Sequence, residues 1–381
     1  RCRPVLQARA AALRRAKSSQ RYSARLAHVA AVSAGDGVVI VTLSRPDSSL
    51  PALLDIPIVK SGTEESLTPV GTGPYYFTTD EAGACLASHS GWWRGESRPA
   101  ERIALSAARD REAILYQFSS HEVQLITADL IGTISYEDAD TTVLQFLGFN
   151  TARAPFQDSA ARRALGLGIN RETLVSAVLS GHARAAQFPV SPVSPLYPAE
   201  LESLYSYDDF AAAMEAAGLN TGRTRTVTLL VNQENTFKVS AAEHIAQALS
   251  DFDLQIQVEA LPWEEYAAAL AAGNFDLYYG EVRLPANWDL SALVGTGGSL
   301  NYGGWADPQT EQLLAACAAA EDRAAALSDL CAYLQQQAPI LPLCFKSSSV
   351  LYQTGAVSGL TPTAAEPFYD LPSCQIHLRQ P

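Results

Sequence analysis

The chain has 381 residues, of which 48% are hydrophobic, and its formal net charge is −13. This length exceeds that of one average domain and predicts two lobes, and no apolar run reaches the roughly 18–20 residues that a membrane-spanning helix needs. The acidic balance argues against nucleic acid as a partner, because binding to phosphates requires a basic face.

The first predicted element is a basic helix over residues 5–20, whose arginines fit a solvated face better than an anion-binding patch. A strand over residues 36–43 follows a Gly-Asp-Gly turn. Residues 104–130 are predicted to form a strand, a helix and a short strand. Residues 144–151 form a strand with apolar residues on both faces, which indicates a central position in a sheet.

The second half of the chain alternates helices and strands. Residues 159–181 carry two helical segments that end at Gly181, and the proline-rich stretch 188–198 must be irregular. Helices and strands then alternate, starting with a helix, over residues 207–219, 226–232, 239–252, 254–261, 263–273 and 275–284. Repeated β-α units of this kind indicate an α/β fold in which helices cover the faces of a sheet.

The six cysteines and six histidines do not have the spacing of a metal site. There is no Cys-x-x-Cys pair, and the dispersed cysteines argue against bound zinc. The histidines never share a helical face. Cys317 and Cys331 lie on neighbouring predicted helices, where a disulfide is one alternative and buried free thiols are the favoured one.

No catalytic motif occurs in the sequence. The signatures of nucleotide-binding loops, zinc peptidases and serine hydrolases are all absent. The glycine-rich stretch 295–304 lacks the lysine and the following helix of a phosphate-binding loop, and a flexible loop is the better interpretation. With 40 acidic residues a catalytic carboxylate pair stays open, but no residue is distinguished. The sequence therefore predicts no catalytic residue, no metal and no cofactor.

The stretch "PVGTGPYYF" (69–77) is the first of six motifs that occur in a fixed order. The others are "SGWWRGESRPAERI" (90–103), "LGFNTARAPFQDSAARRALGLGINRETLV" (147–175), "YSYDDFAAAMEAAGL" (205–219), "WEEYAAALAAGNFDLYYGEV" (263–282) and "APILPLCFKSSSVLY" (338–352). Together they resemble the motifs of the extracellular solute-binding proteins of ABC importers, in the peptide/nickel-binding group (bacterial extracellular solute-binding family 5). The resemblance spans nearly the whole chain.

The resemblance implies an α/β, periplasmic-binding-protein-like (type II) fold, whose two lobes close around a solute by a hinge motion. We expect residues 1–150 and 350–381 to form a discontinuous first lobe and residues 151–349 to form the second. The strand crossings are expected at Phe149–Thr151 and at Leu343–Ser349. Members of the family have further residues ahead of the first helix, so the N-terminal part of the first lobe is expected to be missing here.

The function implied by the resemblance is that of a solute-binding subunit of an ABC transporter. Such a subunit is a monomer without enzymatic activity, which captures an oligopeptide, another small polar solute or a metal chelate and delivers it to the membrane permease. Its location is periplasmic or extracellular, with a lipoprotein anchor in a Gram-positive organism. Two alternatives stay open: a ligand-sensing domain of the same fold in a cytoplasmic regulator, and an unrecognised enzyme.

Polar residues after the apolar part of the strand that ends at Leu284 are the predicted ligand contacts, because ligands gather at the carboxyl ends of strands in α/β sheets. Glu281 and Arg283 are two residues apart and share a face of the strand. This pair could bind a zwitterion, with Arg283 on a carboxylate and Glu281 on an amine, and Asn287 adds a third polar contact. The alternative is an ion pair at the surface or between lobes. Leu284 aligns with the aspartate that binds the terminal amine in peptide-binding relatives, and Asp289 lies nearby.

Three tryptophans receive separate predictions. Trp288 follows the strand that leads to the predicted site, so we expect its ring to form a wall of the ligand cleft. Trp93 and Trp263 each lie within a family motif, and we expect both to pack in the core.

The stretch 69–77 is expected to be a structural corner of the first lobe. Gly71 and Gly73 supply turn conformations in this interpretation. Tyr75 or Tyr76 presents a ring toward the ligand cleft, so both tyrosines are predicted ligand contacts.

Overall fold

A computed structural model describes residues 2–95, 98–128, 136–250, 252–363 and 366–377. The α-helices are α1 (Cys2–Ser18), α2 (Arg111–Ser119), α3 (Ser159–Leu167), α4 (Arg171–Leu179), α5 (Tyr207–Ala216), α6 (Thr236–Ala248), α7 (Trp263–Ala272), α8 (Ser291–Val294), α9 (Pro308–Ala319) and α10 (Arg323–Gln337). The strands are β1 (Val29–Gly35), β2 (Val38–Leu43), β3 (Tyr75–Asp80), β4 (Gly83–Ser88), β5 (Arg102–Ala104), β6 (Leu125–Ala128), β7 (Tyr136–Phe149), β8 (Ala183–Ala185), β9 (Arg225–Asn232), β10 (Leu254–Leu261), β11 (Leu277–Arg283), β12 (Ile340–Tyr352), β13 (Val357–Ser358) and β14 (Gln375–Ile376).

The chain divides into two units. One consists of Arg1–Ala139 and Ser348–Pro381, and the other of Asp140–Ser347. The chain passes from the first unit to the second within β7 and returns within β12. The division within β7 lies before the expected lobe boundary at residue 150. The division within β12 lies close to the expected boundary at residue 350. The assignment of lobes itself stays a prediction.

The first unit contains small antiparallel sheets. The hairpin of β1 and β2 turns at Asp36 and Gly37, which have φ values of 51° and 84°. Positive φ at both turn residues is the conformation that two-residue hairpin loops prefer, and the strand predicted after this turn is confirmed as β2. Strands β3, β4 and β5 form a second sheet, and β6 pairs with the end of β12.

The second unit is built on a mixed sheet with the strand order β10-β9-β11-β7-β12, and β8 also pairs with β12. Strand β9 is parallel to β10 and β11, whereas β11 is antiparallel to β7. Along β7, Leu147 and Phe149 belong to one hydrophobic core, and Leu144 and Phe146 belong to another. Alternate residues of β7 therefore enter two cores, which confirms that this strand is central.

The predicted β-α alternation in this unit is confirmed. The predicted helices correspond to α5, α6 and α7, and the predicted strands correspond to β9, β10 and β11. Helix α6 begins at Thr236, three residues before the predicted start, because Asn235 caps it by accepting a hydrogen bond from the backbone amide of Lys238.

One buried arginine joins two distant segments of the second unit. Arg162 on α3 donates from Nε to the carbonyls of Gln337 and Ala338, each at 3.0 Å, and from Nη1 to the carbonyl of Phe156 at 2.6 Å. Its guanidinium carbon lies 5.4 Å from the centre of the Trp305 ring. Burial lowers the pKa of Arg162 to about 10, so this side chain stays charged at neutral pH.

Cys317 and Cys331 are free thiols, so the free-thiol alternative is confirmed and the disulfide is not formed. Burial raises the pKa of Cys317 to about 11 and that of Cys331 above its usual range. Both side chains behave as small apolar groups in the packing of α9 and α10.

Candidate functional site

The carboxyl-terminal end of β11 changes from buried to exposed within three residues. The strand is buried through Gly280, and Glu281 and Arg283 are exposed. Gly280 lies opposite Phe146 of β7, and a Cβ at Gly280 would come within 2.4 Å of the Phe146 ring. The missing side chain therefore makes room for the ring, and this packing fixes β11 up to the residue before Glu281.

Glu281 is the centre of a polar network, which we name the Glu281 cluster: Glu281, Gln145, Lys238 and Tyr279. Nε2 of Gln145 donates to a carboxylate oxygen of Glu281 at 2.9 Å, and Nζ of Lys238 lies 3.4 Å from the other oxygen. The hydroxyl of Tyr279 donates to Oε1 of Gln145 at 2.8 Å. Burial raises the pKa of Tyr279 well above its usual value, so its hydroxyl keeps the proton and fixes the orientation of the Gln145 amide.

Further charge lies close to this cluster. The Cys344 thiol is 3.7 Å from Oε1 of Gln145. Burial and the Glu281 carboxylate together raise the pKa of Cys344 to about 12, and the Lys346 ammonium opposes the rise. Charges of both signs therefore act at this end of the second unit.

Lys238 and Gln145 were not predicted from the sequence. Lys238 lies in the first turn of α6, which follows β9, and Phe237 beside it packs against the small hydrophobic cluster that contains Cys344. Strand β9 is parallel to β11, so the residues after β9 lie at the same edge of the sheet as the end of β11. Glu281 was predicted because it lies at the carboxyl end of a strand. The same reasoning indicates Lys238 once β9 and β11 are known to be neighbours.

Arg283 lies on the same exposed face as Glu281. Its guanidinium makes no hydrogen bond or ion pair with any other residue in the described part of the chain. Glu281 forms an ion pair with Lys238 and not with Arg283. The roles of Glu281 and Arg283 in ligand binding stay predictions.

Asn287 and Trp288 are both buried. The carbonyl of Asn287 accepts a hydrogen bond from Nη2 of Arg323 at 2.6 Å. The Trp288 ring packs edge-to-face on Phe345 at 5.8 Å, within the core that also contains Phe146. Trp288 has a φ of 55°, a conformation that is costly for a bulky residue and is common near functional sites. Its burial indicates a role in stability, and its role as a ligand wall stays a prediction.

Tyr75 and Tyr76 begin β3 in the first unit. The Tyr75 ring is half-buried and its hydroxyl donates to the carbonyl of Ala100 at 2.9 Å, whereas Tyr76 is exposed. Adjacent strand residues point to opposite faces, so the two rings diverge. Neither Gly71 nor Gly73 has a positive φ, so neither glycine uses the left-handed conformation that favours glycine in turns.

The expected core packing of Trp93 and Trp263 is also wrong, because these side chains are 70% and 62% exposed. Trp92 takes the buried position instead, and both neighbouring indoles donate to the carbonyl of Thr72, at 3.0 and 3.1 Å. The Trp263 ring rests on Tyr266 at the start of α7, with the ring centres 6.0 Å apart.

A cavity of about 550 Å³ lies elsewhere in the second unit. It is enclosed by the α3–α4 connection, the segment after β8 and the last turns of α10, and Arg171 and Phe188 are among its lining residues. None of the six predicted ligand contacts lines this cavity.

Within the described ranges there is no cluster of three or more metal-ligating side chains, and no helix there is long and apolar enough to cross a membrane.

Comparison with known proteins identifies the family. The family model described as "Bacterial extracellular solute-binding proteins, family 5 Middle" matches residues 9–301. Heme-binding protein A of Haemophilus influenzae is 24% identical over an alignment of 348 residues, which covers 81% of this chain and 63% of that protein. Probable di/tripeptide-binding protein 5 of Pseudomonas aeruginosa is 22% identical over 356 residues, with coverage of 83% and 66%. The chain thus spans less than two thirds of the length of either relative.

Solved structures agree on the fold. The crystal structure of a nickel ABC transporter protein from Bacillus halodurans superimposes with a TM-score of 0.78 at 20% identity, covering 94% of this chain and 82% of that one. The expected type II periplasmic-binding-protein fold is therefore confirmed. Since the family model matches more than half of its residues, the chain belongs to the bacterial extracellular solute-binding proteins of family 5.

Proposed function

We propose that this chain is the solute-binding subunit of an ABC transporter. Its family membership supports this, as do relatives whose names specify heme and di- or tripeptides as the bound solutes. The solute is an oligopeptide, another small polar solute or a metal chelate. The partner that receives it is an ABC permease in the membrane.

The observation that carries the proposal is the exposed, unpartnered guanidinium of Arg283 beside the Glu281 cluster. An arginine held at the end of a sheet strand, with its donors unused by the protein, is suited to bind a carboxylate through two parallel hydrogen bonds. We assign the remaining contacts to Asn287 and Trp288 in the second unit and to Tyr75 and Tyr76 in the first. Glu281, the other predicted residue, contributes its charge beside Arg283.

Capture in this proposal is a conformational event. The two lobes follow the division of the chain within β7 and β12, so two strands serve as the hinge connections. The protein acts as a monomer without covalent chemistry, in the periplasm or outside the cell, with a lipid anchor if the organism is Gram-positive.

A thermal-shift screen tests the function. The purified chain is mixed with di- and tripeptides, metal chelates, heme, sugars and amino acids, and its Tm is measured for each. A solute that binds the folded protein raises its Tm. At a concentration a hundredfold above its Kd, it adds about 2.7 kcal/mol to the free energy of unfolding. Mass spectrometry of the released solute then shows whether it is unchanged, as expected for a binding protein, or converted, as an enzyme would do.

The variant Arg283→Lys tests the site. It keeps the positive charge and loses the planar fork, so we expect weaker binding by calorimetry and an unchanged Tm of the free protein. Arg225→Lys is the matched control, because Arg225 is also exposed but lies at the amino end of β9, at the opposite edge of the parallel strands. Equal affinities of the two variants would exclude the role proposed for Arg283.

A further inference from the structure

The end of β11 carries one charged side chain, Arg283, without a partner among the described residues. Lys238 and Glu281 compensate each other, and Arg283 adds a positive charge that no described residue neutralises. An anionic group of a solute would meet an unused guanidinium on this face.

The Glu281 carboxylate, by contrast, is already occupied on both oxygens. Gln145 donates to one oxygen, and Lys238 lies beside the other. An amine of a solute would either displace Lys238, whose side chain is only 15% exposed, or share the carboxylate with a second cation. Breaking this partly buried pair leaves the Lys238 ammonium without compensation, which is costly.

Two buried members of the Glu281 cluster also hold it in place. Gln145 and Tyr279 are both buried, and the hydrogen bond from the Tyr279 hydroxyl fixes the amide that holds Glu281. A network held by buried hydrogen bonds has little freedom to reorganise when a solute arrives. The cluster therefore acts as a preformed surface of fixed charge.

We propose that the solute bound at this face carries a carboxylate held by Arg283, and that Lys238 compensates Glu281 so that the face does not accept the solute's amine. This inference rests on the proposed function and specifies the class of solute. It replaces the zwitterion arrangement that the sequence suggested, in which Glu281 binds the amine.

The test compares three versions of one pool of mixed tripeptides: with both termini free, N-acetylated, and amidated at the carboxyl terminus. We expect the free and N-acetylated pools to raise the Tm and the amidated pool to leave it unchanged. In the variant Arg283→Gln the affinity for the N-acetylated pool falls at least about tenfold, because a charge-assisted contact is lost. In the matched control Arg225→Gln it stays at the level of the natural protein.

A second variant separates the two roles of Glu281. Glu281→Gln keeps a group that can accept the Gln145 hydrogen bond and removes a negative charge close to the site, so we expect tighter binding of the carboxylate pools, by about twofold to fivefold at low salt. A loss of affinity for the free pool, with no loss for the N-acetylated pool, would show instead that Glu281 binds the amine.

The outcomes distinguish this inference from the function on which it rests. Binding of the amidated pool as tightly as the free pool overturns the inference and leaves the proposed function standing. The same holds if the broader screen finds only solutes without an anionic group. Failure of every solute in the screen to bind contradicts the proposed function, and the inference with it.

Discussion

The ring of Phe146 occupies the space into which a side chain at residue 280 would project. The two residues lie directly opposite each other on β7 and β11, and a Cβ at Gly280 would come within 2.4 Å of the ring. Phe146 is buried in the core that also contains Trp288, so a shift of the ring would disturb the packing of that core. Glycine at position 280 is therefore required by packing, one residue before the Glu281 cluster begins.

The variant Gly280→Ala should lower the free energy of unfolding by about 1–3 kcal/mol, the usual cost of overpacking a core. Gly71→Ala is the control, because a Cβ there meets nothing within 4 Å and the φ of Gly71 is not positive. Alanine at position 71 should be neutral or stabilising by up to about 1 kcal/mol. Urea unfolding followed by circular dichroism measures both, and equal midpoints for the two variants would contradict the packing argument.

The alternation of helices and strands in the second unit was predictable because each element there has a strong local pattern. Strand β9 contains the apolar run of residues 229–231, and α6 has a capping asparagine and an apolar face. Strand β1 was not predicted, since its residues are mostly exposed or half-buried and its sequence lacks a clear alternation. Its strand state depends on pairing with β2, and a local pattern does not contain that information.

The candidate site was predictable only in part, for a similar reason. Glu281 and Arg283 are charges that end an apolar strand, which a sequence shows directly. Lys238 joins them only because β9 and β11 are neighbours, and strand adjacency is a property of the fold. The prediction placed Trp93 in the core, whereas Trp92 is the buried residue. The sequence does not distinguish two adjacent tryptophans, because only packing in the folded chain determines which of them is buried.

The buried guanidinium of Arg162 predicts a loss of stability on conservative substitution. Arg162→Lys keeps the charge but leaves several of the carbonyls at Phe156, Gln337 and Ala338 without a donor. Each unsatisfied buried acceptor costs about 1–3 kcal/mol, and we expect a total loss of about 2–4 kcal/mol. The exposed neighbour serves as the control: Arg163→Lys should change the unfolding midpoint by less than about 0.5 kcal/mol.

A pH-dependent prediction concerns Asp80 and Arg102 in the first unit. Arg102 donates to both carboxylate oxygens of Asp80, at 2.6 and 2.9 Å, and these hydrogen bonds hold the pKa of Asp80 well below its usual range. A carboxylate with a depressed pKa in the folded state contributes stability above its unfolded pKa of about 3.9. That contribution is lost as the pH falls toward the folded pKa.

Asp80→Asn should therefore lower the Tm at pH 7, and its deficit relative to the natural protein should shrink steadily as the pH falls below about 4. Glu81→Gln removes the same charge from the next residue, which has no partner among the described residues. Its Tm difference should vary little over that range. A deficit of Asp80→Asn that stays constant from pH 7 to the acid limit would show that the pair with Arg102 contributes nothing in solution.

Trp288 gives the clearest contrast between the role expected from the sequence and the one indicated by its packing. Its ring is 8% exposed and rests on Phe345, whereas the ring of Trp263 is largely exposed. Trp288→Ala should lower the free energy of unfolding by about 3–5 kcal/mol, as expected for truncation of a buried aromatic side chain. Trp263→Ala makes the same change in volume at the surface and should cost less than about 0.5 kcal/mol.

Urea unfolding midpoints of the two variants test whether Trp288 contributes to stability. Calorimetry with the solute found in the screen then measures any separate effect on binding. If Trp288→Ala keeps its midpoint and loses the solute, the ring is a ligand wall and its packing on Phe345 contributes little to the core.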